Sequence, residues 1–272
     1  MIGNLLKMKT KLSTPVEYQL PVDDALLDLN PHIGGRIRLE YQGEINCVSC
    51  GRKTSKSYAQ GHCYPCFISL AECDMCIIKP ETCHYDAGTC REPEWGQQHC
   101  MQPHYVYLAN SSGIKVGITR RSQVPTRWID QGASQALPIL RAGTRYLSGL
   151  LEVALKEHVS DRTDWRKMLK GDAESLDLIA IRDELLETCS LQISEMEQKF
   201  GSENIELLSA EPVVEIQYPV QHYPEKVKSL NLDKTPLIDA ELLGIKGQYL
   251  IMDAGVINIR KYSGYKLDVD LN

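Results

Sequence analysis

No run of about 18 or more consecutive apolar residues occurs in the sequence, which excludes a membrane-spanning helix readable from hydropathy. The opening stretch MIGNLLKMKTKLSTPVEYQL holds a few lysines but no sustained apolar region and no small-residue cleavage site, so it does not read as a secretion signal. Internal repeats and low-complexity tracts are missing too, which excludes a repeat array. An excess of positive charge is also lacking: the formal net charge of −6 argues against a protein that coats nucleic acid without discrimination. Together these absences lead to the expectation of a soluble, cytoplasmic protein with no membrane partner.

What the chain does have is 272 residues with 43% hydrophobic content, enough for two or three compact units that each bury a core. The pattern predicts an α+β protein in four segments. Residues 1–45 form a small β-rich unit around GGRIRLEYQGEI, where the alternation is imperfect and Gly43 reads as a turn. Residues 46–104 form a cysteine-rich, zinc-ribbon-like unit with little apolar sequence of its own, so metal would supply its order. Residues 105–205 form an α/β core. It starts with the strands HYVYLA and GIKVGIT across the turn NSSG, continues with a helix at PTRWIDQGA and another over 148–158, and ends on an amphipathic helix over 174–200. Residues 206–272 hold short β-like runs punctuated by Gly and Pro, the pattern of a small sheet or barrel.

Charge is distributed unevenly. Residues 1–112 carry 10 basic and 12 acidic side chains, residues 113–170 carry 11 and 5, and residues 171–272 carry 9 and 19. The middle stretch, with Arg120, Arg121, Arg127, Arg141, Arg145, Arg162 and Arg166, is thus a basic island of +6 in an acidic chain. The simplest polyanion for it is a nucleic-acid backbone, DNA or RNA. Beyond about 8–10 Å exposed charges are largely screened, so the acidic remainder does not forbid such contact.

Nine of the ten cysteines lie between Cys47 and Cys100, and without a secretion signal metal is a better reading than disulfides. Cys47-x2-Cys50-x12-Cys63-x2-Cys66 places two tight knuckles at either end of a spacer able to fold as a hairpin. Four thiolates then surround one zinc ion, at about 2.3 Å each. An iron–sulfur cluster uses the same donors but suits this spacing less well. A second zinc is expected among Cys73, Cys76, Cys83, His84, Cys90, His99 and Cys100. Cys73 and Cys76 are the surest members, and the two histidines serve either as ligands or as hydrogen-bonding neighbours. A closed all-thiolate sphere leaves no position for a reacting water, so both sites read as structural. Arg52, Lys53 and Lys56 in the first spacer suit a contact surface, although loop cations are commonly just solvated. Cys189, alone in an acidic helical stretch, reads as a small buried side chain.

The stretch YVYLANSSGIKVGITRRSQVPTRW, from Tyr105 to Trp128, resembles the start of the GIY-YIG nuclease superfamily, in the branch whose second strand reads K-[IV]-G-[IV]-[TS]. The resemblance covers residues 104–170, and the whole pattern also resembles a bacterial protein family of unknown function. It implies a paired-strand core with Tyr107 in the first motif, Val116 and Gly117 closing the second, Arg127 as the helix arginine and Glu152 as the metal-binding carboxylate. Such a constellation fits phosphodiester cleavage, which needs a base, a cation for the developing charge and a carboxylate-held Mg2+ or Mn2+ ion.

Two positions depart from that pattern. Lys115 stands where a tyrosine is expected, and Gln131 stands where many active members carry histidine. A desolvated lysine is able to act as a base, so Lys115 joins Tyr107, Arg127 and Glu152 as a catalytic candidate. Glutamine accepts no proton at neutral pH, which leaves Gln131 with Arg120 and Arg121 as nucleic-acid contacts. The expectation is therefore a zinc-binding, nucleic-acid-binding protein on a degenerate GIY-YIG-like core whose cleavage is lost or weakened. An active divalent-metal endonuclease is one alternative. The other is a protein-interaction scaffold that recruits a protein partner through its knuckles and acidic C-terminal half.

Overall fold

The computed structural model describes residues 1–159, 164–171 and 173–272. Its strands are Ile2–Asn4 (β1), Lys9–Lys11 (β2), Glu17–Val22 (β3), Ala25–Asp28 (β4), Arg36–Asn46 (β5), Lys53–Thr54 (β6), His104–Asn110 (β7), Ile114–Arg120 (β8), Gln135–Ala142 (β9), Ile205–Leu207 (β10), Val214–Glu215 (β11), Leu237–Lys246 (β12), Tyr249–Met252 (β13), Gly255–Asn258 (β14) and Tyr265–Leu271 (β15). The helices are Tyr64–Ser69 (α1), Pro93–His99 (α2), Thr126–Asp130 (α3), Arg145–Lys156 (α4), Trp165–Met168 (α5), Leu178–Thr188 (α6) and Ser190–Phe200 (α7). The protein is α+β, as its sequence implies. Among the described residues no helix is long and apolar enough to cross a membrane.

The two ends of the chain share one sheet. Its order is β1-β15-β5-β12-β13-β14, with β6 beside β5, and β1 lies antiparallel to β15 through Ile2↔Asp268 and Asn4↔Lys266. Residues 1–45 and 206–272 are therefore not two separate β units. Strand β5 of the first lies between β12 and β15 of the second, and Leu5, Tyr18, Ile37 and Leu39 are packed in the same core as Ile238, Leu242, Leu267 and Val269. Each such side chain, fully buried, contributes about 1.5–3 kcal/mol, so neither part is expected to hold its shape alone. Gly43 lies inside β5 rather than ending it. At φ +72° it adopts the left-handed backbone, and the β5–β15 register slips between Tyr265 and Leu267. A bulge there spoils the alternation that a reading by period two looks for.

The middle sheet runs β10-β9-β7-β8, with β11 also on β9. Its hairpin is in register from His104↔Arg120 to Asn110↔Ile114, the two strands HYVYLA and GIKVGIT. Strands β10 and β11 come from beyond residue 204, so the core continues past the boundary expected at 205. One face of this sheet, with Val106, Leu108 and Val116, packs on Leu147, Leu151 and Leu155 of α4 and on α6 and α7. The other face, with Tyr107 and Ala109, belongs together with Trp128 and Ile129 of α3 to the same core as the large sheet. Strand β8 forms one edge.

Local chemistry sets the helix bounds. Helix α4 begins at Arg145, not Ser148, because Thr144 caps it, its side chain accepting from the Leu147 amide at 3.2 Å. The single helix expected over 174–200 is two, α6 and α7, broken at buried Cys189 with φ −95° and ψ 11°. Near α3 the two sheets are tied together: Asp130 accepts from Lys7 Nζ at 2.6 Å and from Gln248 Nε2 at 2.8 Å, while Gln248 also bonds both backbone groups of Met8.

Candidate functional site

The first cysteine quartet closes as its spacing implies. Cys47 follows β5, and Gly51, at φ +70°, turns the chain so that the Gly51 amide donates to the Cys47 carbonyl at 2.9 Å. Strand β6 pairs back on β5 through Ile45↔Thr54 and Asn46↔Lys53, which returns the spacer towards Cys63 at the start of α1. The donor sulfurs of Cys47, Cys50, Cys63 and Cys66 lie within 4.8 Å of one another, with Cys50 and Cys63 Sγ 3.7 Å apart. Four bonds of about 2.3 Å in a tetrahedron separate sulfurs by about 3.8 Å, so the quartet is able to hold a metal ion. Burial opposes ionisation of Cys47, but the backbone N–H groups of Cys50, Cys63 and Ser49 outweigh it and bring that thiol down to about 6. The neighbouring sulfurs of Cys50, Cys63 and Cys47, with burial, push Cys66 up to about 12.

The second group divides differently from its sequence order. Cys76, Cys83, Cys90 and Cys100 line one small void together with Asp74 and His84. Asp74, Cys76 and His84 place donor atoms within 4.8 Å of one another. Cys73 does not line that void, although Cys73 and Cys76 are the pair that the C-x-x-C spacing favours. Its thiol is pushed up to about 11, first by burial and then by Glu72, and it feels Cys47 of the first quartet. His99 also turns elsewhere, stacked on Trp95 with centroids 4.2 Å apart and its Nδ1 donating to the Trp95 carbonyl at 2.8 Å.

The candidate core residues lie around the edge strand β8, Tyr107 on the face turned to the large sheet and Glu152 on α4, which packs on the other face. Tyr107 is fully buried, and its hydroxyl donates to Gln131 Oε1 at 3.0 Å. The tyrosine lies flat against Gly117, its cross-strand partner: a Cβ there would stand 2.6 Å from the Tyr107 hydroxyl and 2.7 Å from its Cζ. That contact is why this register needs glycine. Gly117→Ala is expected to displace the ring, break the bond to Gln131 and cost about 2–4 kcal/mol by overpacking and the lost partner, measured by urea unfolding; an unchanged midpoint would contradict the close approach.

Charges of both signs act on one another there. Burial lowers Lys115 to about 7, the Arg127 cation adds to that, and Glu152 opposes it. Glu152, on α4, is raised by burial, against Lys156 and Arg145, and its Oε1 lies 3.2 Å from Lys156 Nζ. Tyr107 is raised by burial, which Arg127 offsets in part. Lys115, Arg127 and Glu152 thus share one electrostatic neighbourhood with Tyr107 and Gln131. Arg260, from the turn after β14, joins it: burial lowers its guanidinium and Arg127 lowers it further.

Arg120 and Arg121 stand apart. Arg120 ends β8, five residues and about 17 Å along the strand from Lys115, where its charge bears on Cys100 and His104. Other parts of the basic island are engaged internally: Arg141 with Glu206 at 3.2 Å, and Arg145 with the Ile77 carbonyl at 2.6 Å. Arg162 lies outside the described residues. Four exposed cations, Arg166, Lys167, Lys170 and Lys226, line a groove instead, with Asp164 and Glu225 among them. Lys226 comes from the acidic last third, and neither it nor Arg260 carries a local motif that a linear reading would detect.

The fold and the converging thiols define an α+β protein with a cysteine site able to hold a metal ion. The family model described as "Protein of unknown function (DUF2797)" matches residues 34–267, and the chain belongs to that family. No curated protein and no solved structure matches the chain.

Proposed function

We propose that the protein is a zinc-binding, nucleic-acid-binding protein of the cytoplasm, built on a GIY-YIG-like core whose cleavage is lost or weakened. The reading rests chiefly on the site beside β8, where Lys115 feels the Arg127 cation and the Glu152 carboxylate, and where Glu152 already lies 3.2 Å from Lys156. A carboxylate so paired is a poor sole ligand for a hydrated divalent ion. Gln131, which receives the Tyr107 hydroxyl, takes no proton from a nucleophile. Retained positive charge with incomplete acid–base machinery suits holding a phosphate backbone more than cutting it. The groove with Arg166, Lys167, Lys170 and Lys226 extends the cationic surface. Thiolate donors at tetrahedral spacing favour zinc, in a reducing compartment that keeps cysteines free.

Titration of labelled DNA and RNA, single and double stranded, at low and high salt with and without Mg2+ or Mn2+, tests this. Binding is expected to weaken steeply with salt, and further on Lys167→Glu with Lys170→Glu, without strand breaks. Absence of binding at low salt, with charge reversal changing nothing, would hand the case to a protein-interaction scaffold. One observation favours an active endonuclease as the second reading: Lys115, lowered to about 7, has a neutral fraction at physiological pH and is then a competent base. A metal-dependent nick abolished by Glu152→Gln and by Arg127→Ala would establish that reading instead.

A further inference from the structure

Five of the nine clustered cysteines lie outside the Cys47–Cys66 quartet, and four of these, scattered through the sequence, line one void. Cys76 lies in the turn Met75–Ile77, Cys83 follows the turn Pro80–Thr82, Cys90 precedes α2 and Cys100 caps its end. All four line a void of about 10 Å³, the room of one water-sized sphere and too little for an organic substrate. Helix α2 reaches it through a bare position: a Cβ on Gly96 would come within 2.9 Å of the Tyr85 ring and 3.3 Å of Cys90 Sγ.

We infer that Cys76, Cys83, Cys90 and Cys100 form a second, all-thiolate metal site, and that this site braces α4, the helix that carries Glu152. The other donors on the void are already engaged. Asp74 holds Arg91 Nε at 2.6 Å, and His84 shares a hydrogen bond with Thr89 at 2.8 Å through Nδ1 and faces Asp74 at 3.5 Å through Nε2. That arrangement places both outside the ion's first ring of ligands, as orienting neighbours. Binding one divalent ion turns four thiols into thiolates, releases four protons and moves no electron. It leaves a doubly negative centre, and α4 supplies the cation opposite. Arg145 lies in electrostatic contact with Cys76 and Cys100, and its buried Nε has no hydrogen-bond partner among the described residues. A thiolate is the acceptor it lacks.

The brace follows from contacts already in place. The Arg145 amide donates to the Cys100 carbonyl at 2.8 Å, its guanidinium to the Ile77 carbonyl at 2.6 Å, and Gly149 admits the Pro80–Thr82 turn so closely that a Cβ would stand 2.5 Å from Pro80 Cβ. An ion joining Cys76, Cys83 and Cys100 fixes that turn and the end of α2 against the start of α4. The inference rests on reading the cysteine-rich unit as metal-binding and is independent of nucleic-acid binding.

Zinc per chain, measured by elemental analysis of the purified full-length protein beside X-ray absorption at the zinc edge, tests it. The expected result is two ions per chain with sulfur neighbours only, at about 2.3 Å. Cys90→Ser and Cys50→Ser are each expected to leave one ion, and Cys73→Ser both. Cys50→Ser retaining two ions would sink the first site, whereas Cys90→Ser retaining two would sink the second. One ion in the unaltered protein, nitrogen or oxygen neighbours near 2.0 Å, or loss of an ion in His84→Ala would overturn the ligand set. Should Cys90→Ser fail to fold, the absorption spectrum of the unaltered protein still decides. Amide exchange across Arg145–Lys156 is expected to quicken in Cys90→Ser but not in Cys50→Ser; unchanged exchange in the former would remove the brace.

Discussion

Chelating the ion from Cys47, Cys50, Cys63 and Cys66, or replacing Cys63 by serine, is expected to strip residues 46–70 of amide protection while the β5–β12 ladder keeps its own. The reason is the scarcity of other stabilising contacts. Between Ile45 and Ala71 the buried apolar side chains are Cys47 and Cys63, two of the ligands themselves, whereas Val48, Tyr64 and Ile68 are exposed. The two-residue strand β6 and the six-residue α1 are too short to persist unaided. Structural zinc contributes on the order of 10 kcal/mol to the folding of peptides that depend on it, more than such short elements supply. Strand β5, in contrast, lies between β12 and β15, with Ile37 and Leu39 fully buried, and owes nothing to the metal. Hydrogen exchange with and without chelator reads the difference. Protection surviving over 46–70 in the metal-free protein would show that side-chain packing holds the unit.

Legibility in the sequence followed distance along the chain. The Cys47–Cys66 quartet could be read because each knuckle is four residues long and its spacer pairs locally. The hairpin of β7 and β8 could be read because its turn and both strands lie within 17 residues, from His104 to Arg120. The union of the chain ends was hidden because the ladder Ile2↔Asp268 leaves no local signature: each strand alone looks like an independent short β run. The second thiol group was only half legible. C-x-x-C spacing favours Cys73 with Cys76, but the short turns before α2 put Cys83, Cys90 and Cys100 on one void with Cys76 and leave Cys73 off it. Arg145 read as one more member of a basic island, and only its place between the thiol void and Glu152 gives it a particular role. At Gly117 the need for glycine was hidden, since the Tyr107 ring that requires it arrives from the other strand.

Stability is expected to rise with pH between about 7 and 10 in the unaltered protein, by up to about 1.4 kcal/mol per pH unit, relative to Lys115→Met. The folded state holds Lys115 at about 7, chiefly through burial and then through Arg127, with Glu152 acting the other way. In the unfolded chain a lysine titrates near 10.4. Between those values the unfolded chain binds a proton that the folded chain does not, so raising the pH favours folding. Below about 7 both states are protonated and the full cost of burying the charge is present, so there Lys115→Met is expected to be the more stable by about 4 kcal/mol. The methionine keeps the length of the side chain and removes the charge, so the difference between two urea-unfolding series isolates this one group from the cysteines and tyrosines that also titrate. Parallel curves for the two proteins would mean that Lys115 is not desolvated in solution. That outcome would also remove the base on which the endonuclease reading depends, whereas a slope confined to the unaltered protein would fix the pH range in which cleavage should be sought.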